Sequence, residues 1–526
     1  MESIVATKET ASRQVMSRNP ATGEVLASFP CADETEVQRA VELARSAQPA
    51  WAALDVRQRV RILREFQRQL TAQKREVAEL ITREAGKPCL ESLVTEVLVA
   101  LDAARFCADT AFSFLRPEPV PHANLLLKAK SGRLVREPYG VVGIISPWNY
   151  PLSIPAAETC AALIMGNAVV LKPSEFTTLV AQKLAALLHD SGVPAGVLQI
   201  LPGDGGTGAA LVNAGIDKMM FTGSVASGKR VAQAAAARLL PVVLELGGKD
   251  PMIVLEDAPV EVAASAAVWG AFMNAGQTCL SVERCYVHRS IYERFVAACI
   301  DKARQLHVGR GSESGTDVGP LIHDRQVEIV EAQVEDARTR GAKVLLGGQR
   351  LPDLGPNFFA PTIMAGVDHT MRLMREETFG PVLPIMPVAD EEEAIRLAND
   401  SEFGLAASVW TADRRRGERL ARRLQAGTVL INDVITGFGT SEAPHGGVKA
   451  SGIGRSHGRQ GLEEMTQLKY IDTDLLPRLP KLWWYGYGAK FTRQCEDFID
   501  FLFSGSLVKR LRGGLRSLPS MWRKKL

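Results

Sequence analysis

The sequence predicts an α/β protein with two parallel-sheet domains, and three observations carry that prediction. At 526 residues the chain is longer than one ordinary core serves, so two or three domains are expected. From about residue 139 onward, short continuous apolar runs alternate with helical stretches, as strands buried on both faces do. A hydrophobic share of 46% and a charged share of 23% match a soluble globular protein.

In chain order, residues 33–116 read mainly as helices, with apolar residues at helical spacing among Ala, Glu, Arg and Gln. Within them "RVRILREFQRQLTAQKREVAELITREAG" stops at Gly86, followed by Pro88, a fitting helix end. "NLLLKAKSGRLVRE" is expected to be a hairpin with Ser131-Gly132 at its turn. "GVVGIISP", "NAVVLKPS", "GVLQILPG", "KMMFTGS" and "PVVLELGG" then read as strands of one sheet. "DPMIVL", "ERCYVH", "AKVLLGG", "FFAPTIM", "GPVLPIMPV", "AASVWT" and "GTVLIND" read as strands of a second. No repeat at solenoid period is visible.

The formal net charge of +3 is small for this length, so nothing global argues for nucleic acid. The balance is uneven. Residues 472–526 hold 11 Lys/Arg against 5 Asp/Glu, which leaves 62 − 11 = 51 basic and 59 − 5 = 54 acidic residues before them. The eight cysteines form no CxxC pair, so reduced thiols in a cytoplasmic setting are expected and no metal site. The opening "MESIVATKETASRQVMSRNP" lacks the apolar core of a signal peptide, and no apolar run is long enough to span a bilayer.

The most visible glycine motif misleads. "GDGGTG" at 203–208 satisfies GxGxxG after a strand-like run, yet the acidic residue a dinucleotide fingerprint wants about 20 positions on is absent. After Asp217 the next is Glu245, so a tight strand-to-helix turn is the better reading. Three other pieces suggest chemistry. Asn149, in "SPWNYPL", follows a strand, where a side-chain amide could donate to a developing oxyanion. Glu245, in "LELGGKDP", ends a strand, where a partly desolvated carboxylate could act as a general base. Cys279 follows the loop Asn274-Ala275-Gly276-Gln277-Thr278. Singly, these read equally well as a turn residue, a solvated acid and a core thiol. Cys285, His288, Lys249 and Arg284 read as structural or surface residues.

Together with "VVLKPSE", "FTGSVASGK" and "EETFGPV", the three pieces resemble the NAD(P)-dependent aldehyde dehydrogenase superfamily, from about residue 17 to about residue 470. Glu245 and Cys279 lie 34 residues apart, as in that family's pattern. The resemblance implies a Rossmann-type dinucleotide domain (15–119 and 139–246) and a second α/β catalytic domain (247–462). It also implies a small β oligomerisation extension (120–138 and 463–474), giving a homodimer or homotetramer. Cys279 would be the nucleophile, brought to the substrate by the backbone freedom of Gly276. Asn149 and the Cys279 N–H would hold the oxyanion, and Glu245 would activate the water that hydrolyses a thioester. For the cofactor, Trp148, Lys172, Glu175, Gly203, Gly223, Ser224, Gly228, Glu377 and Phe379 fall on the family's binding positions. Glu175 favours NAD, and NADP stays open because Lys172 and Ser174 could accept a phosphate. A CoA-acylating or semialdehyde-specific relative would use the same thiol.

The resemblance fades into a tail, 475–526, whose residues 504–526 carry seven basic and no acidic side chains. Phe501, Val508, Leu511, Leu515, Leu518 and Trp522 fall largely at three- and four-residue steps. That pattern fits either an element on a membrane surface or a helix packed on protein. Gly513-Gly514 and Pro519 weaken a single continuous helix. If the tail meets membrane, a long-chain apolar aldehyde is the natural substrate.

Overall fold

The computed structural model describes residues 13–479, 481 and 483–521, with the side chains of 518–521 left aside, so Leu518 and Trp522 of the tail reading lie outside the description. Its contacts fall into two units. One holds the chain up to Leu115 with Glu137–Gln467, and the other holds Arg116–Arg136 with the chain from Leu468 on.

In the larger unit, strands Val141–Ile145 and Ala168–Lys172 are buried at every position. Their Val and Ile side chains meet cover on both faces, which is why the run is continuous and not alternating. The first sheet runs in the order Gly452–Ile453, Val242–Glu245, Lys218–Thr222, Val141–Ile145, Ala168–Lys172, Leu198–Ile200. All its pairings are parallel except that of the two-residue edge strand. From Val141–Ile145 the chain first builds to one side, then returns to build on the other with Lys218–Thr222. The carboxyl ends of those two neighbours therefore border a crevice where the winding reverses, the usual ligand position in open α/β sheets. A second seven-stranded sheet, with Asp250–Val254 between Val282–His288 and Ala406–Trp410, carries its own core.

Four local readings need correction. The expected helix ending at Gly86 is two helices, Val56–Ala72 and Lys74–Ala85, broken at Gln73. Gly86 does end the second, in the left-handed region at φ 83°. Ser131-Gly132 is not a turn. Both lie inside strand Lys130–Pro138, which pairs antiparallel with Glu118–Val120, and a short 3₁₀ turn at Leu125–Leu127 lies between them. Gly132 is small because a Cβ there would sit 2.7 Å from the Tyr470 hydroxyl. The strand expected at 463–474 starts at Thr466, because Gly458–Glu463 is helical. Residues 452–453, expected in the catalytic segment 247–462, pair instead with Leu244 and Glu245 on the edge of the first sheet.

The tail forms two helices, Ala489–Phe503 and Leu507–Met521. Gly513-Gly514 do not interrupt the second. A Cβ at Gly513 would lie 2.2 Å from the Asp497 carbonyl, so the glycines let the two helices approach closely. No helix among the described residues is long and apolar enough to cross a membrane.

Candidate active site

The loop leaving Val141–Ile145 places Trp148 and Asn149 at the crevice. Asn149 is buried, and its Nδ2 donates to the Gln277 carbonyl at 3.0 Å, which ties it to the loop that carries Cys279. Its own carbonyl accepts from Lys87 Nζ at 2.7 Å and from Asn274 Nδ2 at 3.1 Å. Lys87 also bonds Glu96 Oε1 at 2.7 Å and lies 4.0 Å over the Tyr150 ring, while Glu96 Oε2 accepts from the Leu152 and Ser153 N–H groups. A buried ion pair thus holds the backbone at Asn149 and just after it.

The segment before Cys279 is tightly coiled. Asn274, Ala275 and Gly276 all have positive φ, at 52°, 54° and 73°. Two of these are not glycine, and such strain persists only where surroundings impose it. Gly276 is required on a second ground: a Cβ there would meet the Gly380 carbonyl at 2.1 Å. On the other side, a Cβ at Gly248 would lie 2.4 Å from the Cys279 carbonyl. Gly248 therefore lets the chain leaving the first sheet press against the cysteine loop, while Gly247 makes room for the Glu377 carboxyl.

Cys279 is half-buried, and burial pushes its thiol well above the usual range, with Asp250, Glu377 and Glu245 adding negative charge nearby. Glu245 ends strand Val242–Glu245, and burial followed by the charge of Glu158 pushes its carboxyl well above the usual range too. Its Oε2 lies 3.9 Å from His445 Nε2.

Two cavities share Cys279 in their walls. One, of about 320 Å³, is lined by Trp148, Gly223, Ser224, Glu245, Glu377 and Phe379 as well as Cys279. The other, of about 520 Å³, is lined by Val94, Leu98, Trp269, Met273, Leu280, Ile435 and Phe438 as well as Cys279, with Asp102 and several threonines but no Lys or Arg among the described residues of its wall. Val94, Leu98 and Trp269 are also exposed, so the apolar wall continues to the outer surface.

On the first cavity's side, Ser224 caps helix Val225–Ala236, its Oγ accepting from Ser227 N–H. Gly228 is small because Leu246 Cδ2 lies 2.4 Å from where its Cβ would be. Glu377 accepts from Gly248 N–H at 2.9 Å, and burial raises its carboxyl to about 8. Phe379 sits at φ 52°, its N–H bonded to Glu283 and its carbonyl to Gln326, and its ring meets Trp148 edge-on at 5.4 Å. Lys249 completes this support by pairing with Glu283 at 2.6 Å. Lys172 Nζ donates to the Gly203 carbonyl at 2.8 Å and lies 4.0 Å from Glu175 Oε2. In "GDGGTG", Asp204 itself accepts from Gly206 and Thr207 N–H, so a protein carboxylate already sits on the amides that a pyrophosphate would need.

Several residues of the site escaped the sequence reading. Glu158 bonds Thr222 Oγ1 at 3.3 Å and is raised by burial to about 8. His445 and His457 flank the Phe438 ring, and burial lowers them to about 3 and about 4, so both are neutral at physiological pH. Both histidines lie in "PHGGVKASGIGRSHG", where the unusual density of histidine was the available signal. Cys285, by contrast, is buried in strand Val282–His288, and Arg284 is buried against the Lys249, Leu397 and Ala398 carbonyls. Among the described residues no cluster of three or more His, Cys, Asp or Glu side chains is placed to hold a metal ion.

Comparison with known proteins matches residues 6–471 to the aldehyde dehydrogenase family. A 4,4'-diapolycopene aldehyde oxidase from Methylomonas sp is 40% identical over 505 residues, 95% of this chain and 94% of that protein. Among solved structures, an NAD-dependent aldehyde dehydrogenase from Sinorhizobium meliloti superposes with TM-score 0.86 at 35% identity, covering 90% of this chain and 93% of the other. A succinate-semialdehyde dehydrogenase from Burkholderia pseudomallei gives 0.84 at 36% identity, covering 88% and 95%. Two doubly wound sheets whose cavities converge on one cysteine, and a match over nearly the whole length, lead to one conclusion: the chain is an enzyme of the aldehyde dehydrogenase family.

Proposed function

We propose that this enzyme oxidises an apolar aldehyde to its carboxylic acid with NAD, Cys279 being the nucleophile. The observation that carries the reading is the position of Cys279, which lines both the cavity holding Asn149, Glu245 and Glu377 and a second cavity whose apolar side chains reach the surface. The thiolate attacks the aldehyde carbon and gives a thiohemiacetal. One N–H of the Asn149 amide is engaged by Gln277, which leaves the second, with the Cys279 N–H, for the oxyanion. Glu245 then takes a proton from the water that hydrolyses the resulting thioester, burial having made it a stronger base than an exposed carboxylate.

The donor set of the first cavity suits a dinucleotide. The opening turn of helix Val225–Ala236 after Gly223-Ser224 offers N–H groups to phosphate, and Gly228 keeps that helix close to the sheet. Lys172, Glu175 and the Gly203 turn offer ribose and adenine contacts, and Trp148, Glu377 and Phe379 would hold the nicotinamide end. When bound, NAD accepts a hydride from the substrate carbon. Glu175 favours NAD because a carboxylate repels a 2′-phosphate, while Lys172 leaves NADP as a weaker second cofactor.

In this reading, segments 15–119 and 139–246, with the edge strand 452–453, form the cofactor domain and the rest of 247–462 serves catalysis. The sheet of Glu118–Val120, Lys130–Pro138 and Thr466–Asp474 is the extension through which a homodimer or homotetramer assembles in the cytoplasm. A semialdehyde acid is the second reading, favoured by one of the similar structures. The absence of a cation from the wall of the apolar cavity argues against it. The test is NADH formation from a long apolar aldehyde, a short one and a semialdehyde acid, with and without CoA, in wild type and Cys279→Ala. Preference for the long substrate without CoA, lost in the variant, supports the proposal. Preference for the acid, or dependence on CoA, overturns it.

A further inference from the structure

The tail carries a surface that the dehydrogenase chemistry does not use. In helix Leu507–Met521 the side turned toward Ala489–Phe503 is set by Arg510, whose Nε donates to the Phe501 carbonyl at 3.2 Å, by Gly513-Gly514 and by buried Ser517. At about 100° per residue, Leu507, Leu511, Leu515 and Val508 fall on a different arc of the same helix. Their exposures lie between 56% and 78%, so among the described residues this face is largely uncovered. Lys509, Arg512 and Arg516 occupy the adjoining arc and are exposed as well. Phe503, at the end of the first helix, is 79% exposed. No acidic residue follows Asp500 in the chain.

An apolar arc bordered by cations and free of acids is the pattern of a helix lying in the plane of a lipid interface, leucines in the acyl boundary and ammonium and guanidinium groups at the phosphates. A convex stripe of this kind offers no groove for a peptide, and the positive charge of Lys509 and Arg512 beside it is matched by an anionic headgroup layer. We infer that helix Leu507–Met521 docks the enzyme on the surface of an anionic bilayer, through Leu507, Val508, Leu511 and Leu515. Docking is peripheral, and it is read without turnover, so it stands apart from the proposed reaction.

The experiment is co-sedimentation of the full chain with vesicles of phosphatidylcholine alone and with about a third phosphatidylserine. The wild type is expected to bind the anionic vesicles and to be released by high salt. Leu511→Asp with Leu515→Asp should lower partitioning at least about tenfold, since each substitution puts a charge into the acyl boundary. Lys509→Glu with Arg512→Glu should abolish the preference for phosphatidylserine. Both variants should make NADH from a short, water-soluble aldehyde at the wild-type rate, which shows that they are folded. Wild type that stays in the supernatant, or an aspartate variant that binds as well as wild type, overturns the inference. So does a fall in oligomeric mass of the aspartate variant by light scattering, which would make the leucine face a subunit contact.

Discussion

Replacing Lys87 by Met tests whether the buried ion pair behind Asn149 holds the catalytic loop. Lys87 and Glu96 have fully buried side chains and are 2.7 Å apart. Without the ammonium, Glu96 keeps only the Leu152 and Ser153 N–H groups, and the Asn149 carbonyl keeps only Asn274. Breaking one side of such a pair costs about 3–5 kcal/mol, because a charge is left buried without its partner. That is a large part of the roughly 5–15 kcal/mol that holds a domain folded. Turnover should suffer too, since the Asn149 amide must meet an oxyanion to within a fraction of an ångström, and a misplacement of about 1 Å can cost about 10²-fold. Urea unfolding followed by fluorescence gives the first quantity and NADH formation the second. The double variant Lys87→Met, Glu96→Met should lose less stability than the two single losses added, because neither group is then orphaned. A single-variant loss under about 1 kcal/mol with unchanged kcat would refute the reasoning.

Three further predictions concern the site itself. The Cys279 thiol is raised by burial and nearby carboxylates, so without cofactor it is neutral at pH 7, and the thiolate fraction grows with pH. Alkylation by iodoacetamide should therefore climb about tenfold per pH unit between pH 7 and 9, and a plateau below pH 8 would contradict the burial argument. Glu245→Gln should give about one equivalent of NADH per site and then stall. In wild type the deacylation rate should rise with pH through the raised titration of Glu245, where an ordinary carboxylate would already be flat. Gly276→Ala should destabilise the protein by more than about 1 kcal/mol, the contact with Gly380 being too close to relax cheaply and φ being +73°. Thermal melts would check this, and an unchanged melting temperature would count against it.

Much of the fold was legible because its signals are local. "AVVLK" and "VVGII" are strands wherever they occur with cover on both faces, and Gly86 with Pro88 ends a helix by its own backbone preferences. The errors were local signals overruled at a distance. Gly132 looks like a turn residue in its own sequence, yet it is a glycine because Tyr470 lies against it, and Gly513-Gly514 look like helix breakers but serve close helix packing. At the site, Asn149, Glu245 and Cys279 were ambiguous singly and were picked out by the family resemblance of their motifs, and the folded chain brings all three to one cavity.

By itself the sequence determined most of the order and type of the elements, because dihedral preference and apolar periodicity act over a few residues, and its resemblance to a known family marked which side chains could do chemistry. Only the tertiary structure decided what surrounds those side chains. Glu245 is a raised carboxyl because burial desolvates it and Glu158, 87 residues earlier in the chain, adds negative charge beside it. The apolar wall beyond Cys279 is built from Val94, Trp269 and Ile435, which share no sequence pattern. Desolvation and long-range contact set the pKa values and the substrate cavity, and neither has a local signature.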